Sequence, residues 1–364
     1  MTIQSLELSD FRNYEYLKLE FDEKINIICG ANGQGKTNIL EAIVLCATSR
    51  SHRGSKDREM IRFGCEEAHI RANLRKAGRG MQIDLHLRKQ KSKGIAVNRL
   101  PLQRAAQLIG VCNVVVFSPE DLRIIKSGPS ERRNFMNQTL CQTDPVYLHD
   151  LSQYHKALRQ RNQLLKEIGT NPELEETLDV WDLQLVRCGK RVLVRREQFI
   201  RELNRMTEMI HARLTGGSEQ IRIIYERSTT EDRYAEELGN SRERDLRFQT
   251  THVGPHRDDL KVLVNDVDMR AYGSQGQQRT CALSMKLSAI DLIRETLQEE
   301  PVLLLDDVLS ELDTDRQQDL LQFIDGNQTI ITCTGYDEFL QSRFHPDRIF
   351  EAADGVVTMK RQEA

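Results

Sequence analysis

Residues 30–37 read GANGQGKT. The string fits G-x-x-x-x-G-K-[ST] in full, and its setting decides the fold. Before it stands INIIC (25–29), an apolar run suited to a buried strand. After it, TNILEAIVLCATS (37–49) puts Ile39, Leu40, Ile43 and Cys46 or Ala47 on one face of a helix. Strand, glycine-rich loop and helix in that order make a phosphate-binding loop. Gly30, Gly33 and Gly35 free the backbone to curl, so that the N–H groups of the loop, those of Ala31, Asn32 and Gln34 included, point into one anion hole. The helix N-terminus adds positive potential. Lys36 can reach the β- and γ-phosphates of ATP, and the Thr37 hydroxyl can ligate magnesium. The bland alternative is a turn that happens to carry Lys-Thr, and the flanking strand and helix leave it little share.

Phosphate-binding loops serve kinases, GTPases, motors and switches, and the second half of the chain separates them. VLLLDDVLSELD (302–313) is an apolar strand that delivers adjacent carboxylates. Asp306 is placed to hold the magnesium shell, and Asp307 to orient or deprotonate an attacking water. An acidic helix cap would explain one of these aspartates but not both. Upstream, GSQGQQRT (273–280) opens a predicted helix over about 277–298, with Leu283, Leu287, Ile290, Ile293 and Leu297 on its inner side. Serine, glycine and a helix N-terminus make a second anion site, where an ordinary N-capped helix is the competing reading.

Between these motifs the pattern changes twice. SLELSDF and YLKLEF read as strands ahead of the loop, and AHIRANLR, MQIDLHLR and GIAVN as an antiparallel sheet beside the nucleotide site. NVVVF (113–117) is a buried strand. From about 130 to 215 the chain reads as helical, with Phe199, Leu203, Met206 and Ile210 at 4-3-4 spacing. That run is too brief for an extended coiled coil. Gly216-Gly217 breaks it, IRIIYE resumes strand character, and KVLVNDVDM reads as a hairpin around Asn265-Asp266. QTIITCT (328–334) is a further strand.

Taken in order, these motifs resemble the ATPase heads of the ABC superfamily, and within it the RecF family related to SMC and Rad50 heads. The resemblance runs essentially end to end. It rests on LELSDFRNY (6–14), GANGQGKTNILEAI (30–43), SRSHR (49–53), VVVFSPEDLRIIKSGPSERRNFMN (114–137), THVGPHRDDL (251–260), SQGQQRT (274–280) and LLLDDVLSELD (303–313). It implies an α/β ABC-type P-loop head with no long coiled coil. Lobe I, a mixed sheet with helices, would combine 1–117 with 290–364; lobe II, mainly helical with the signature loop, would span 118–289. It also implies that two monomers sandwich ATP, with Ser274 and the Gly276 amide meeting the γ-phosphate in trans, Gln277 nearby, and Asp313 in a loop crossing the interface. Implied partners are DNA at duplexes or single-strand/double-strand junctions, RecR, and RecO and RecA in the same pathway. The implied role is gap repair, RecA loading, replication maintenance and SOS induction.

The chain departs from the broader superfamily in four places. Gln275 stands where LSGGQ has its first glycine, and Asp307 where many heads have glutamate. ITCTG offers Thr332 and Thr334 in place of the switch histidine, and no clear Q-loop glutamine stands around VVVFSPED. Asp307 is one methylene shorter than glutamate, which points to slow, switch-like hydrolysis.

Charge bears on DNA. The chain of 364 residues carries a formal net charge of −3, which argues against general nucleic-acid adhesion. Yet residues 50–104 hold fifteen Lys or Arg against five acids, and 187–213 hold eight against three. Arg187, Arg191 and Arg195 recur at i, i+4 and form a stripe on one helix face, suited to phosphate contacts without base reading. A solvated face with ion pairs is the alternative. Aromatic content of 5% gives little support to base stacking. In SRSHR, Arg50, His52 and Arg53 could touch nucleotide or DNA, or form a solvated loop. HVGPHRDD (252–259) reads as a rigid turn supporting the signature hairpin rather than a metal site. The eight Cys are scattered without a C-x-x-C pair, as for buried free thiols in a reducing cytoplasm. No signal peptide or membrane-length apolar run is present, which makes the expected location cytoplasmic.

Three other functions compete. A small-molecule P-loop kinase would leave GSQGQQRT unexplained. An SMC-type tether needs longer helices, since about 85 residues folded into two equal antiparallel helices reach only about 65 Å. A transporter-type ABC ATPase does not suit the inserted helices and basic stripes.

Overall fold

In the computed structural model, which describes residues 1–311, 314–335 and 346–360, the chain opens with the hairpin β1 (Thr2–Phe11) and β2 (Tyr14–Glu20), then β3 (Ile25–Cys29) and α1 (Lys36–Thr48). β4 (Glu67–Lys76), β5 (Arg79–Arg88), β6 (Gly94–Val97), β7 (Leu100–Pro101) and β8 (Val114–Phe117) follow. The middle is helical: α2 (Arg123–Lys126), α3 (Pro129–Thr143), α4 (Pro145–Ile168) and α5 (Leu178–Leu214). After β9 (Ile221–Glu226) come α6 (Tyr234–Asn240) and α7 (Arg242–Phe248). The hairpin β10 (Asp259–Val264) and β11 (Val267–Asp268) then leads through α8 (Met269–Tyr272) into α9 (Gln275–Leu297). β12 (Val302–Asp306), α10 (Thr314–Ile324), β13 (Thr329–Cys333), β14 (Arg348–Ala353) and β15 (Val356–Lys360) complete the described chain. Asp313 lies outside the described residues.

The chain divides into two compact units, 1–120 with 293–364, and 121–292. The first holds two six-stranded sheets. One is antiparallel, in the order β2-β1-β4-β5-β6-β7. The other runs β15-β14-β3-β13-β12-β8, parallel throughout except for its β14–β15 pair. One apolar core contains Leu6, Leu8, Ile70 and Leu85 of the first sheet, Ile28 and Leu304 of the second, and the apolar residues from Ile39 to Ala47 of α1. The expectation of a single apolar face on α1 is therefore corrected. Every residue from Ile39 to Ala47 is buried, Glu41 included, because a sheet covers the helix on each side. Such a helix need not show a one-sided stripe.

The second unit is built on α4 and α5, which pack as a hairpin around Tyr154, Ala157, Leu185 and Leu193. Phe199, Leu203, Met206 and Ile210 are all buried. At 37 residues, α5 is about 55 Å long. Gly216 and Gly217 have φ of +59° and +78°, which ends the helix as expected. Asn265 and Asp266 both have positive φ, +48° and +63°, the geometry of a two-residue hairpin loop. α9 is buried on every side through Cys281–Ile290, not on an inner stripe alone. Its Ser284 and Ser288 hydroxyls meet His211 and Thr207 of α5, so the buried polar groups are paired.

Candidate nucleotide-binding site

Three parallel strands lie side by side in the order β3-β13-β12. Ligands of open parallel sheets gather at the carboxyl ends of the strands. Here Cys29 ends β3 and feeds the loop, Cys333 ends β13, and Asp306 ends β12. The register pairs Asp306 with Thr332, and Cys333 with Cys29.

The loop has the conformation its glycines permit. Gly30, Gly33 and Gly35 have φ of +153°, +83° and +97°. A Cβ at Gly30 would stand 2.2 Å from the Ala352 carbonyl of β14, and one at Gly35 2.4 Å from the Asn13 side chain. Both positions are thus closed by backbone conformation and by neighbours far away in sequence. The Lys36 Nζ, buried over the loop, donates to the carbonyls of Gly30 at 2.6 Å and Ala31 at 2.9 Å. That contact holds the ammonium where phosphates would arrive.

The two halves of the candidate site meet directly. The Thr37 hydroxyl donates to Asp306 Oδ1 at 2.8 Å, across 269 residues of sequence. The Thr332 hydroxyl donates to the same oxygen at 2.9 Å and accepts from the Asp307 amide at 3.1 Å. Thr332 is 1% exposed, whereas Thr334 is exposed. Thr332 therefore occupies a bridging place between both acidic residues. Asp307 has φ of +53°, in the left-handed region. Its place off the end of β12 frees it from the alternation that would send neighbouring carboxylates to opposite faces.

Sequence reasoning missed a buttress around the loop. Arg12 grips Glu41 of α1 through two bonds of 2.8 Å, and Ser51 bonds the same carboxylate. Burial would raise the Glu41 pKa, but the bonds from Arg12 and Ser51 outweigh it and hold it below the usual carboxylate value. Asn13 donates to the Gln34 carbonyl at 3.3 Å and accepts from Asn38 at 2.8 Å. The Gln34 side chain accepts from the Asp354 amide. No spacing rule links these segments; only the fold adjoins them.

The SRSHR segment folds back on α1. Arg53 reaches Asn38 at 3.5 Å, and Arg50 is exposed. Both ring nitrogens of His52 are enclosed and, among the described residues, without a hydrogen-bond partner. Burial lowers its pKa, while Asp306 and Glu41 pull the other way.

At the start of α9, Ser274 and Gln277 bond each other's backbone amides at 3.1–3.2 Å, a reciprocal capping box. Ser274, Gln275 and Gly276 are exposed, and Gln277 also bonds Glu219. The N-capped helix and an outward-facing loop are thus present together. The preceding HVGPHRDD segment is the rigid turn expected. Gly254 has φ of +133°, and a Cβ there would stand 2.5 Å from the Tyr154 hydroxyl. Asp258 takes Arg196 at 2.8 Å, Tyr225 at 2.5 Å and the Ser228 amide at 2.9 Å.

The arginine stripe is largely used internally. Arg191 pairs with Asp150 at 2.5 Å and Arg195 with Asp144 at 2.6 Å, tying α5 to α4, while Arg187 is exposed. Arg196, counted in the basic excess, is 1% exposed and held by Asp258, Tyr147, Asn137 and the Pro255 carbonyl. In residues 50–104, Arg62, Arg71, Arg75, Lys89 and Lys93 each meet an acid. Local charge counts thus overstate the free basic surface.

A phosphate loop, an aspartate-ended parallel strand beside it and an antiparallel sheet over the loop's helix together define an ATPase head of the ABC type. The model of the RecF/RecN/SMC N terminal domain family matches residues 2–358. The chain belongs to this family, and within it to the RecF proteins. It is 53% identical over 359 residues to the DNA replication and repair protein RecF of Lachnospira eligens, covering 98% of this chain and 99% of that one. To the RecF of Bacillus cereus it is 42% identical over 369 residues, covering 98% of each. Among solved structures it is similar to the recombination mediator protein RecF-ATP in the RecFOR pathway, with TM-score 0.92, 36% identity and 99% and 98% of the two chains covered. An Smc head from Pyrococcus furiosus, at TM-score 0.59 and 18% identity, shares the fold.

Proposed function

We propose that the chain is an ATP-gated DNA-binding protein of replication and repair, in which ATP joins two copies on DNA and slow hydrolysis releases them. The observation that carries this reading is the 2.8 Å contact between Thr37 and Asp306, which unites phosphate loop and acidic strand in one site. The loop amides of Gly30 to Thr37, with Lys36, would hold the phosphates. Thr37 and Asp306 would hold Mg2+, which neutralises charge on the phosphate oxygens. Asp307 would orient the attacking water, and the shorter aspartate suits slow turnover. Ser274, Gly276 and Gln277 are exposed or half-exposed, which supports their meeting the γ-phosphate on a second copy. In this reading 1–117 with 290–364 is the ATPase lobe and 118–289 the lobe that carries the signature loop. In the stripe, exposed Arg187 is better placed for DNA than the ion-paired Arg191 and Arg195. The similarity to RecF supports a cytoplasmic role in gap repair, replication maintenance and SOS induction, with RecR, RecO and RecA as pathway partners.

The test uses the Asp307→Asn variant, which keeps the phosphate loop and removes the carboxylate assigned to the attacking water. Light scattering should give a dimer with ATP and a monomer with ADP. Binding to gapped and duplex DNA should tighten with ATP relative to ADP, with single strands bound less well. A monomer under all conditions, or equal DNA binding with both nucleotides, refutes the gating.

A further inference from the structure

β4 and β5 are antiparallel neighbours, and His69 stands directly opposite His86. Opposed residues share one face of a sheet, and here the two imidazoles stack, with centroids 4.1 Å apart and planes inclined by 22°. Glu67 lies on the same face, two residues before His69. Its Oε2 is 2.7 Å from His86 Nε2. One donor atom from each of the three residues lies within 4.8 Å of the others. The face is the solvent side of the strand: Glu67 and His69 are exposed, while Ala68 and Ile70 enter the core. Neighbouring Arg88, opposite Glu67 in the register, donates to the Ser92 carbonyl at 2.8 Å.

We propose that Glu67, His69 and His86 form a surface site for one divalent transition-metal ion of the zinc class, separate from the nucleotide's magnesium. The donor chemistry selects the ion. Imidazole nitrogens suit Zn2+, Ni2+ and Cu2+, whereas Mg2+ and Ca2+ prefer oxygen donors throughout. Tetrahedral zinc at about 2.0–2.2 Å from its ligands places donors about 3.3 Å apart. The cluster reaches that spacing by small side-chain rotations, which exposed residues on a rigid two-strand ladder can make. Three protein donors leave a fourth position for water. His69 is paired across the sheet with Ser9 of β1 on its other side, so the ion would fasten the end of the sheet from which β1 turns toward Asn13 and the phosphate loop.

The test is Zn2+ titration of chelator-washed, nucleotide-free full-length protein against a chromophoric competitor, with the Co2+ absorption spectrum alongside. We expect one Zn2+ per chain at this site, a Co2+ spectrum without a thiolate charge-transfer band, and no displacement by Mg2+. His69→Ala and His86→Ala should each weaken Zn2+ binding about tenfold or more, and Glu67→Gln less. Circular dichroism and ATP binding of the metal-free variants should match the parent, which separates ligand loss from misfolding. Unchanged Zn2+ affinity in His69→Ala and His86→Ala overturns the site. So does a thiolate band in the Co2+ spectrum, which would assign the metal to cysteine.

Discussion

Replacing Thr332 by valine removes one hydroxyl and keeps the side-chain shape. Thr332 is 1% exposed, and its hydroxyl donates to Asp306 Oδ1 at 2.9 Å and accepts from the Asp307 amide at 3.1 Å. The first bond ends on a carboxylate and contributes about 1.5–3 kcal/mol; the second is neutral and contributes about 1 kcal/mol. Neither partner is orphaned. Asp306 keeps Thr37, and the Asp307 amide keeps the Thr332 carbonyl at 3.2 Å. Burying a methyl in place of the hydroxyl offsets about 1 kcal/mol. The net loss is about 1.5–3 kcal/mol, or roughly 2–4 °C in Tm per kcal/mol for a unit of this size. The functional effect should be larger on chemistry than on binding. Asp307 sits in the left-handed region, a conformation its surroundings must enforce. Loosening it should lower single-turnover ATP hydrolysis about tenfold, equivalent to about 1.4 kcal/mol of barrier, while ATP affinity changes less. Thr332→Ser keeps the hydroxyl and should restore most of the rate. Thermal unfolding with and without Mg·ATP and quenched single-turnover assays supply both readouts. Equal hydrolysis rates for the valine and serine variants would show that the hydroxyl bridge plays no part.

Gly35→Ala should cost about 1–3 kcal/mol and abolish nucleotide binding, because φ is +97° and the new Cβ meets Asn13; Gly33→Ala, with φ +83° and no atom within 4 Å, should be milder in denaturant titrations and ATP binding. Arg196→Met leaves Asp258, which is 0% exposed, without its cation and should cost about 3–5 kcal/mol, much of it recovered in the Arg196→Met/Asp258→Asn double variant when both are unfolded in urea. Burial lowers the His256 pKa from 6.5 to about 4, so the unfolded chain takes up a proton that the folded chain refuses; stability is complete above pH 6.5 and falls by about 3 kcal/mol as pH drops to about 4, a slope that His256→Gln should remove from pH-dependent melting curves. Arg187→Ala should weaken DNA binding with no change in Tm, whereas Arg191→Ala should lower stability by about 1 kcal/mol or more, because it leaves the buried Asp150 carboxylate without its cation.

The sequence by itself determined the phosphate loop, the strands on either side of the chain that supply it, the aspartates and the main helices. These features are local: a strand or amphipathic helix is written in spacings of two to four residues, and a phosphate loop in eight consecutive ones. The hairpin at Asn265-Asp266 and the helix stop at Gly216-Gly217 were legible for the same reason, since backbone conformation there depends on the residues themselves. Burial and pairing were not legible. α1 reads as one-sided but is enclosed by two sheets drawn from both ends of the chain. The arginine stripe reads as free charge, yet Asp144 at the N-cap of α4 and Asp150 within it consume two of its members. Thr332 reads as a missing histidine, and only the β12–β13 register sets its hydroxyl between Asp306 and Asp307. A charge or hydroxyl acts through whatever lies within about 3 Å of it, and those partners sit tens to hundreds of residues away. The tertiary structure alone decided them.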